Sequence, residues 1–224
     1  MIKYHHAWKM SIDQARETQS ELAKKITIKP LPENLSTIAG FDVSYQYKED
    51  VLIAGMVILA YPSLERIESH HIKDKINFPY IPGYLSFREA PALLKLIESY
   101  AKDIDVFIFD GHGVAHPRGL GIASHIGILT GIASIGCAKK RLIGNYSYPG
   151  SKKGDTSDLE YKGEVVARVI CTRENIKPVF VSIGNNVDLD GAVDLVLNCC
   201  TKYKLPEPTR LAHQLVTRAK QNIN

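Results

Sequence analysis

Two aspartates lie within or directly after predicted buried strands, where their carboxylates could take part in catalysis or bind a metal. Asp110 directly follows residues 106–109, an apolar run typical of a strand covered on both faces. Asp42 lies within the alternating stretch 37–45, on the face opposite Phe41. A buried carboxylate is costly unless it is hydrogen-bonded, ion-paired or bound to a metal. Taken alone, each aspartate is explained as well by a turn or a salt bridge as by catalysis.

Glu89 is a third candidate acid, on a predicted helix that ends near Tyr100. It shares the apolar face of that helix with Leu93, so its carboxylate points towards the core. Ser86 and Glu89 also fit a capping box, in which the glutamate would bond only to the Ser86 backbone. Pro91 argues against that box, because proline is awkward inside the first turns, and it favours a helix that begins at Pro91. Both roles of Glu89 remain open.

Two irregular segments flank these acids. The segment 78–86 contains two prolines and a glycine, which exclude regular structure up to Ser86. Such a stiff loop either packs onto the core or contacts a ligand. After Asp110 comes a glycine-rich turn, whose glycines would let the backbone approach a ligand closely: Gly111, Gly113, Gly119 and Gly121.

The elements that must position these residues follow from periodicity and from helix and turn signals. A capping-box pattern at Ser11 and Gln14 predicts a surface helix. In chain order, these signals first predict helix 11–25, antiparallel strands 37–45, 51–61 and 65–77, and the helix to Tyr100. They then predict strand 106–109, buried helix 120–134, strand 135–144 and surface loop 146–159. The last predicted elements are a hairpin of 165–171 and 179–183, and helices 189–200 and 208–220.

Composition sets broad limits. With 224 residues, 45% of them hydrophobic, the chain is long enough for one good-sized domain spanning 1–224. A net charge of +4 permits a polyanionic partner without requiring one. Four cysteines without a C-x-x-C pair are typical of a reduced compartment. No signal-like or membrane-length apolar run is present, so we expect a cytoplasmic protein with no membrane partner.

This element order resembles a ribonuclease H-like fold, an α/β fold with a mixed sheet flanked by helices. Strands one and four are neighbours in that fold, which would bring Asp42 and Asp110 together. Two carboxylates held that close repel each other unless one is protonated or a cation lies between them. A hard divalent ion such as Mg²⁺ prefers oxygen ligands and retains water that can act as a nucleophile. The pair is therefore stronger evidence of a site than either aspartate alone.

Four stretches of the chain resemble endonuclease V in order and spacing: residues 38–45, 79–89, 110–118 and 205–213. The resemblance spans almost the whole chain. It implies a Mg²⁺-dependent endonuclease, with Mn²⁺ as a substitute, that recognises deoxyinosine and other deaminated bases in DNA. Such an enzyme hydrolyses the second phosphodiester bond 3′ to the lesion, leaving 3′-hydroxyl and 5′-phosphate ends, and so initiates DNA repair.

The resemblance also implies roles for individual residues. Asp42 and Asp110 become metal ligands, with Glu89 and His213 completing the catalytic cluster and Lys139 near the scissile phosphate. The helical pattern of 208–220 does not by itself direct His213 inwards, so its role rests on the resemblance. Tyr80 matches an aromatic wedge that separates the strands beside the lesion.

Base recognition follows from the chemistry of deamination. Hypoxanthine carries an acceptor oxygen at C6 where adenine carries an amino donor, so backbone N–H groups would accept the first and reject the second. We expect the backbone near four residues to form that pocket: Gly83, Leu85, Gly111 and Ile122.

The chain departs from the usual family pattern at a few places, including His112 in place of glutamine and Tyr84 in place of phenylalanine. These departures leave room for a preference for inosine-containing RNA. Two further alternatives are a different ribonuclease H-like nuclease, which would not need the segment 79–83, and a non-catalytic binder of inosine strands, which would not need the three acids. We expect a monomer.

Overall fold

The computed structural model of the protein describes residues 6–46 and 50–221. Within these residues the strands are β1 (Thr37–Gln46), β2 (Val51–Ala60), β3 (Arg66–Lys75), β4 (Val106–Phe109), β5 (Ala133–Ala138), β6 (Thr156–Tyr161), β7 (Glu164–Ile170) and β8 (Val179–Asn185). The helices are α1 (Ile12–Ala23), α2 (Leu85–Tyr100), α3 (Ile122–Thr130), α4 (Leu189–Cys199) and α5 (Glu207–Gln221).

The strands form one mixed sheet in the order β3-β2-β1-β4-β5-β8-β7-β6. The first three strands are antiparallel, whereas β4 runs parallel to both β1 and β5. Because Phe41 is the register partner of Phe109, Asp42 and Asp110 follow adjacent positions on neighbouring strands. The predicted adjacency of strands one and four, and the predicted fold class, are confirmed.

Helices cover both faces of the sheet. On one face, α2 and α3 bury Leu93 and Ile126 against Phe41 and Phe109, and on the other Ala212 of α5 packs in the core that contains Ile38. The alternation predicted for β1 is therefore confirmed. Gly40 permits the second packing, since a Cβ there would overlap the backbone at the start of α5.

The start of α2 was predicted wrongly. The helix begins at Leu85, so Ser86 lies inside it and forms no capping box, and Pro91 is also inside it rather than at its start. Tertiary packing outweighs the proline penalty here, because Phe87 in the first turn is buried in a cluster with Tyr84. The Ser86 hydroxyl instead bonds to His125 Nδ1 at 3.0 Å.

The predicted surface loop 146–159 is wrong at its C-terminal end, where β6 begins at Thr156 and pairs with β7. Lys162 and Gly163 join the two strands with φ angles of 56° and 83°. Positive φ at both central residues is the hairpin turn that fits the right-handed twist of paired strands. The remaining elements agree with the prediction apart from their ends, and the capping box of α1 is present.

Two predictions from composition can be compared directly with the structure. All four cysteines are buried free thiols, as expected for a reduced protein. Among the described residues, no helix has the length and apolar character needed to span a bilayer.

Candidate active site

Three acids line one small cleft at the end of β4. Asp42, Glu89 and Asp110 border a cavity of about 60 Å³ together with apolar side chains that include Leu93. The cleft forms because β4 ends at Phe109 while β1 continues to Gln46, which leaves room beside the outer half of β1. The structure thus brings together the three carboxylates that the sequence singled out.

Each carboxylate already has one partner. His213 Nδ1 lies 2.8 Å from Asp42 Oδ2, and Lys139 forms an ion pair with Asp110. The Tyr45 hydroxyl donates to Glu89 Oε1 at 2.6 Å. His213 is placed by α5 and Lys139 by the end of β5, so both residues assigned by resemblance lie at the carboxylate cleft.

Burial and mutual repulsion dominate the electrostatics of the cleft. Burial raises the pKa of Glu89 to about 7, with further contributions from Asp42 and Asp110 that the Tyr45 hydrogen bond opposes. Burial is also the main cause that raises the pKa of Asp42, with Asp110 adding to it and the His213 hydrogen bond opposing it. The cleft therefore holds more negative charge than its protein partners compensate.

The donor set fits a hard divalent cation. Among residues 6–46 and 50–221, no three His, Cys, Asp or Glu side chains converge closely enough to hold one ion by themselves. Mg²⁺ does not require that, because it is commonly held by one or two carboxylates, with waters and substrate phosphates completing its octahedron. Asp42 and Asp110, on adjacent strands, supply such a pair, and a cation between them would relieve the repulsion.

A second cavity adjoins the carboxylate cleft and shares Leu85 and Ile122 with it. This base cavity has a volume of about 200 Å³ and is mainly apolar. All four residues predicted for the base pocket line it, together with Tyr80, whose surface is 69% exposed. The structure therefore places the predicted pocket residues around one cavity.

The backbone of the base cavity offers hydrogen-bond donors. Among the described residues, nothing accepts a hydrogen bond from the N–H groups of Gly83, Leu85 and Ile122. The Gly111 N–H, in contrast, donates to the Phe109 carbonyl at 2.9 Å. Three of the four expected N–H groups are thus free to donate to a ligand, whereas Gly111 only lines the wall of the base cavity.

A hydrogen-bond network behind the cavity fixes the position of Gly83. Its carbonyl accepts from Gln19 Nε2 at 3.0 Å, His116 Nε2 at 3.0 Å and Arg118 Nη2 at 2.6 Å. Burial, followed by the charge of Arg118, lowers the pKa of His116 to about 4, so its ring is neutral. Gly83 has φ +80°, a left-handed conformation that glycine adopts without strain.

Gln19 connects both walls of the base cavity. It is fully buried on α1, and its Nε2 also donates to the Leu120 carbonyl at 3.2 Å. Its Oε1 accepts from Arg118 Nε at 2.5 Å. Sequence reasoning missed Gln19 because its two carbonyl partners lie 64 and 101 residues away along the chain.

Comparisons with known proteins agree with this geometry. The endonuclease V family model matches residues 20–214. The endonuclease V of Thermosipho melanesiensis is 45% identical over 219 residues, covering 98% of this chain and 96% of the relative. Among solved structures, endonuclease V from Streptomyces avermitilis has a TM-score of 0.92 at 36% identity, covering 97% of this chain and 96% of that one.

A further solved structure holds a nucleic acid. Endonuclease V from Ciona intestinalis was solved with a 24mer DNA containing an inosine followed by a ribo-adenosine. It superposes with a TM-score of 0.83 at 30% identity, covering 95% of this chain and 98% of that one. From the family match, the near full-length relatives and the shared fold, this chain belongs to the endonuclease V family of nucleases.

Proposed function

We propose that this protein is a Mg²⁺-dependent endonuclease that recognises deoxyinosine and other deaminated bases in DNA and nicks the second phosphodiester bond 3′ to the lesion, which initiates repair. It acts as a monomer through a single catalytic domain spanning residues 1–224. The observation that carries the proposal is the direct contact between a base-sized cavity with unpaired N–H donors and a cleft of three acids. The inosine-containing DNA in the Ciona intestinalis relative supports it.

Recognition is explained by the donors of the base cavity. The O6 atom of hypoxanthine can accept from backbone N–H groups at Leu85 or Ile122, whereas the amino group of adenine would leave them unpaired and place donor against donor. The apolar walls suit the faces of a base that has left the helix. Tyr80, exposed on the same wall, would fill the space that the base vacates.

The residues of the cleft supply the remaining functions. A bound Mg²⁺ would activate water and offset the negative charge that develops on the phosphate. Asp42 and Asp110 would hold the ion, with His213 orienting the Asp42 carboxylate through its hydrogen bond. Lys139, next to Asp110, would pair with the scissile phosphate. Mn²⁺, which accepts the same oxygen ligands, would substitute for Mg²⁺.

Glu89 is the residue to which we assign the proton of the attacking water. Its pKa of about 7 suits a general base at neutral pH, and the Tyr45 hydroxyl holds Oε1, which leaves Oε2 to accept the proton. Water attacks phosphorus and passes a proton to Glu89, the bond to the 3′ oxygen breaks, and that oxygen takes a proton from solvent. The products carry 3′-hydroxyl and 5′-phosphate ends.

Cleavage of matched, end-labelled duplexes tests the proposal. DNA and RNA duplexes carrying one inosine or one adenosine are incubated with Mg²⁺ or EDTA, using the wild-type protein and Asp42→Ala. We expect a Mg²⁺-dependent nick at the second phosphodiester bond 3′ to deoxyinosine. This nick should be absent in the variant. Equal cutting of inosine and adenosine would contradict the proposal, as would faster cutting of the RNA or binding without cleavage under every metal condition.

A further inference from the structure

A basic groove lies beside Lys139, outside both the base cavity and the carboxylate cleft. It has a volume of about 550 Å³ and is lined by five cationic side chains around one tyrosine: Lys139, Lys140, Lys177, Lys204, Arg210 and Tyr203. These residues come from the end of β5, the segment before β8, the connection from α4 to α5, and the first turn of α5. We call this surface the basic groove.

The positive charge of the basic groove is only partly compensated. Arg210 Nε lies 3.0 Å from Glu207 Oε2, and Lys139 pairs with Asp110. Within the described part of the chain, Lys140, Lys177 and Lys204 have no carboxylate within ion-pair distance. Three lysines without acidic partners around one groove are complementary to an anionic chain.

The lysines also repel one another. Burial lowers the pKa of Lys204, and the charges of Lys139 and Lys177 add to this effect while Cys137 and Asp110 oppose it. An arrangement that crowds cations in this way is stabilised when anions bind between them. Phosphates of a nucleic acid would provide such anions at regular intervals.

Tyr203 gives the groove an aromatic surface. The residue is 50% exposed, and the Arg210 guanidinium lies 4.3 Å from the ring centroid on one face. Half of the surface of Tyr203 thus remains accessible for contact with a base. Exposed aromatic rings among cationic side chains are the usual means by which proteins bind single-stranded nucleic acid without sequence preference.

The position of the groove indicates which part of the strand it holds. The base cavity lies on the side of the sheet covered by α2 and α3, whereas the groove is formed at the connection between α4 and α5, which cover the other side. The carboxylate cleft lies between them, and the ion pair of Lys139 with Asp110 joins it to the groove. A strand with its lesion in the cavity and its scissile phosphate at the cleft would continue into the groove.

We propose that the basic groove binds the 3′ flank of the nicked strand in single-stranded form, with phosphates at Lys177 and Lys204 and a base stacked on Tyr203. The assignment of the 3′ flank, rather than the 5′ flank, rests on the proposed function, in which the scissile bond lies 3′ to the lesion. The base cavity would hold the lesion, and the groove would hold the nucleotides that follow it on the 3′ side.

Binding to single-stranded DNA in EDTA tests the inference without cleavage. The probes carry one inosine and a 3′ flank of either about 12 or about 2 nucleotides, with the 5′ flank constant. The test variant is Lys177→Ala/Lys204→Ala. The matched control, Lys29→Ala/Lys102→Ala, also removes two positive charges, but Lys102 precedes β4 and so lies at the end of that strand opposite Asp110.

We expect the test variant to bind the long-flank probe about tenfold more weakly, with the slope of log K against log salt reduced by about 1.4, and to bind the short-flank probe as the wild type does. Tyr203→Ala should weaken binding of the long-flank probe about fivefold or more. Equal losses with both flanks, or equal losses in the control variant, would overturn the inference. A wild type that binds inosine and adenosine probes equally would count against the proposed function, while the flank comparison still decides whether the groove binds DNA.

Discussion

The base cavity and the carboxylate cleft share two residues but differ in how far the protein itself satisfies their polar and charged groups. The cavity is held by a network whose hydrogen bonds are made, as at the Gly83 carbonyl, which accepts from Arg118, and at the buried Gln19 amide. The cleft crowds three carboxylates, and the pKa of Glu89 rises to about 7 as a result of burial and of its acidic neighbours. On the proposed function, recognition is built by the chain alone, whereas catalysis needs a cation to complete the site.

The largest expected effect is a loss of nicking rate without a loss of binding, which would show that the carboxylate cleft and the base cavity act separately. Asp110→Asn removes a charge from the cleft and leaves the cavity wall intact, so we expect the nicking rate in Mg²⁺ to fall about 10³-fold. Binding of an inosine duplex in EDTA should change less than about threefold, well under 1.4 kcal/mol. Single-turnover cleavage and fluorescence anisotropy measure the two quantities. A parallel loss of binding would show that the regions are not separable.

A second substitution acts on the cavity side. Tyr80→Ala removes an exposed ring, and the loss of one aromatic–base contact of about 1–3 kcal/mol should lower kcat/KM for inosine duplexes roughly 5- to 150-fold. Tyr80→Phe should retain activity, because no hydrogen bond of the hydroxyl is involved. Tyr148 is 61% exposed elsewhere, so Tyr148→Ala is the matched control and should have no effect.

A third substitution tests the network behind the cavity. Gln19→Leu removes the donors to the Gly83 and Leu120 carbonyls, so we expect the ratio of inosine to adenosine cleavage to fall about tenfold, as for one lost buried hydrogen bond of about 1.4 kcal/mol. The neighbouring exposed Ser20 provides the control Ser20→Ala. An unchanged ratio with a lower melting temperature would assign Gln19 to stability alone.

The smallest effect concerns the stability of the cleft without metal. Glu89 has a folded-state pKa of about 7, above its ordinary 4.5, so its contribution to stability is present at low pH and is lost as pH rises from about 4.5 to 7. Glu89→Gln should therefore raise Tm in EDTA by roughly 5 °C at pH 8 and have little effect near pH 4.5. The exposed Glu98→Gln on the same helix should show no such pH dependence. A gain in Tm that is equal at both pH values would contradict the assigned pKa.

Local pattern and strand order were sufficient to predict part of the site. Alternation placed Asp42 opposite Phe41, and the resemblance of the element order to a ribonuclease H-like fold placed it beside Asp110, because these properties depend on short-range periodicity and fold topology. The start of α2 was missed since the burial of Phe87, a tertiary effect, decides it. The contact of His213 with Asp42 depends on how closely α5 approaches Gly40, which no pattern within α5 records.

Base discrimination in the absence of metal tests the central claim most directly. Equilibrium binding of inosine and adenosine duplexes is measured in EDTA and again with Ca²⁺, a hard cation with the same oxygen-ligand chemistry, for the wild type and Asp42→Ala. If the cavity is complete without a cation, the preference for inosine is present in EDTA and is the same in the variant. A preference that appears only with the cation, or disappears in Asp42→Ala, would show that recognition also depends on the metal and would contradict the account.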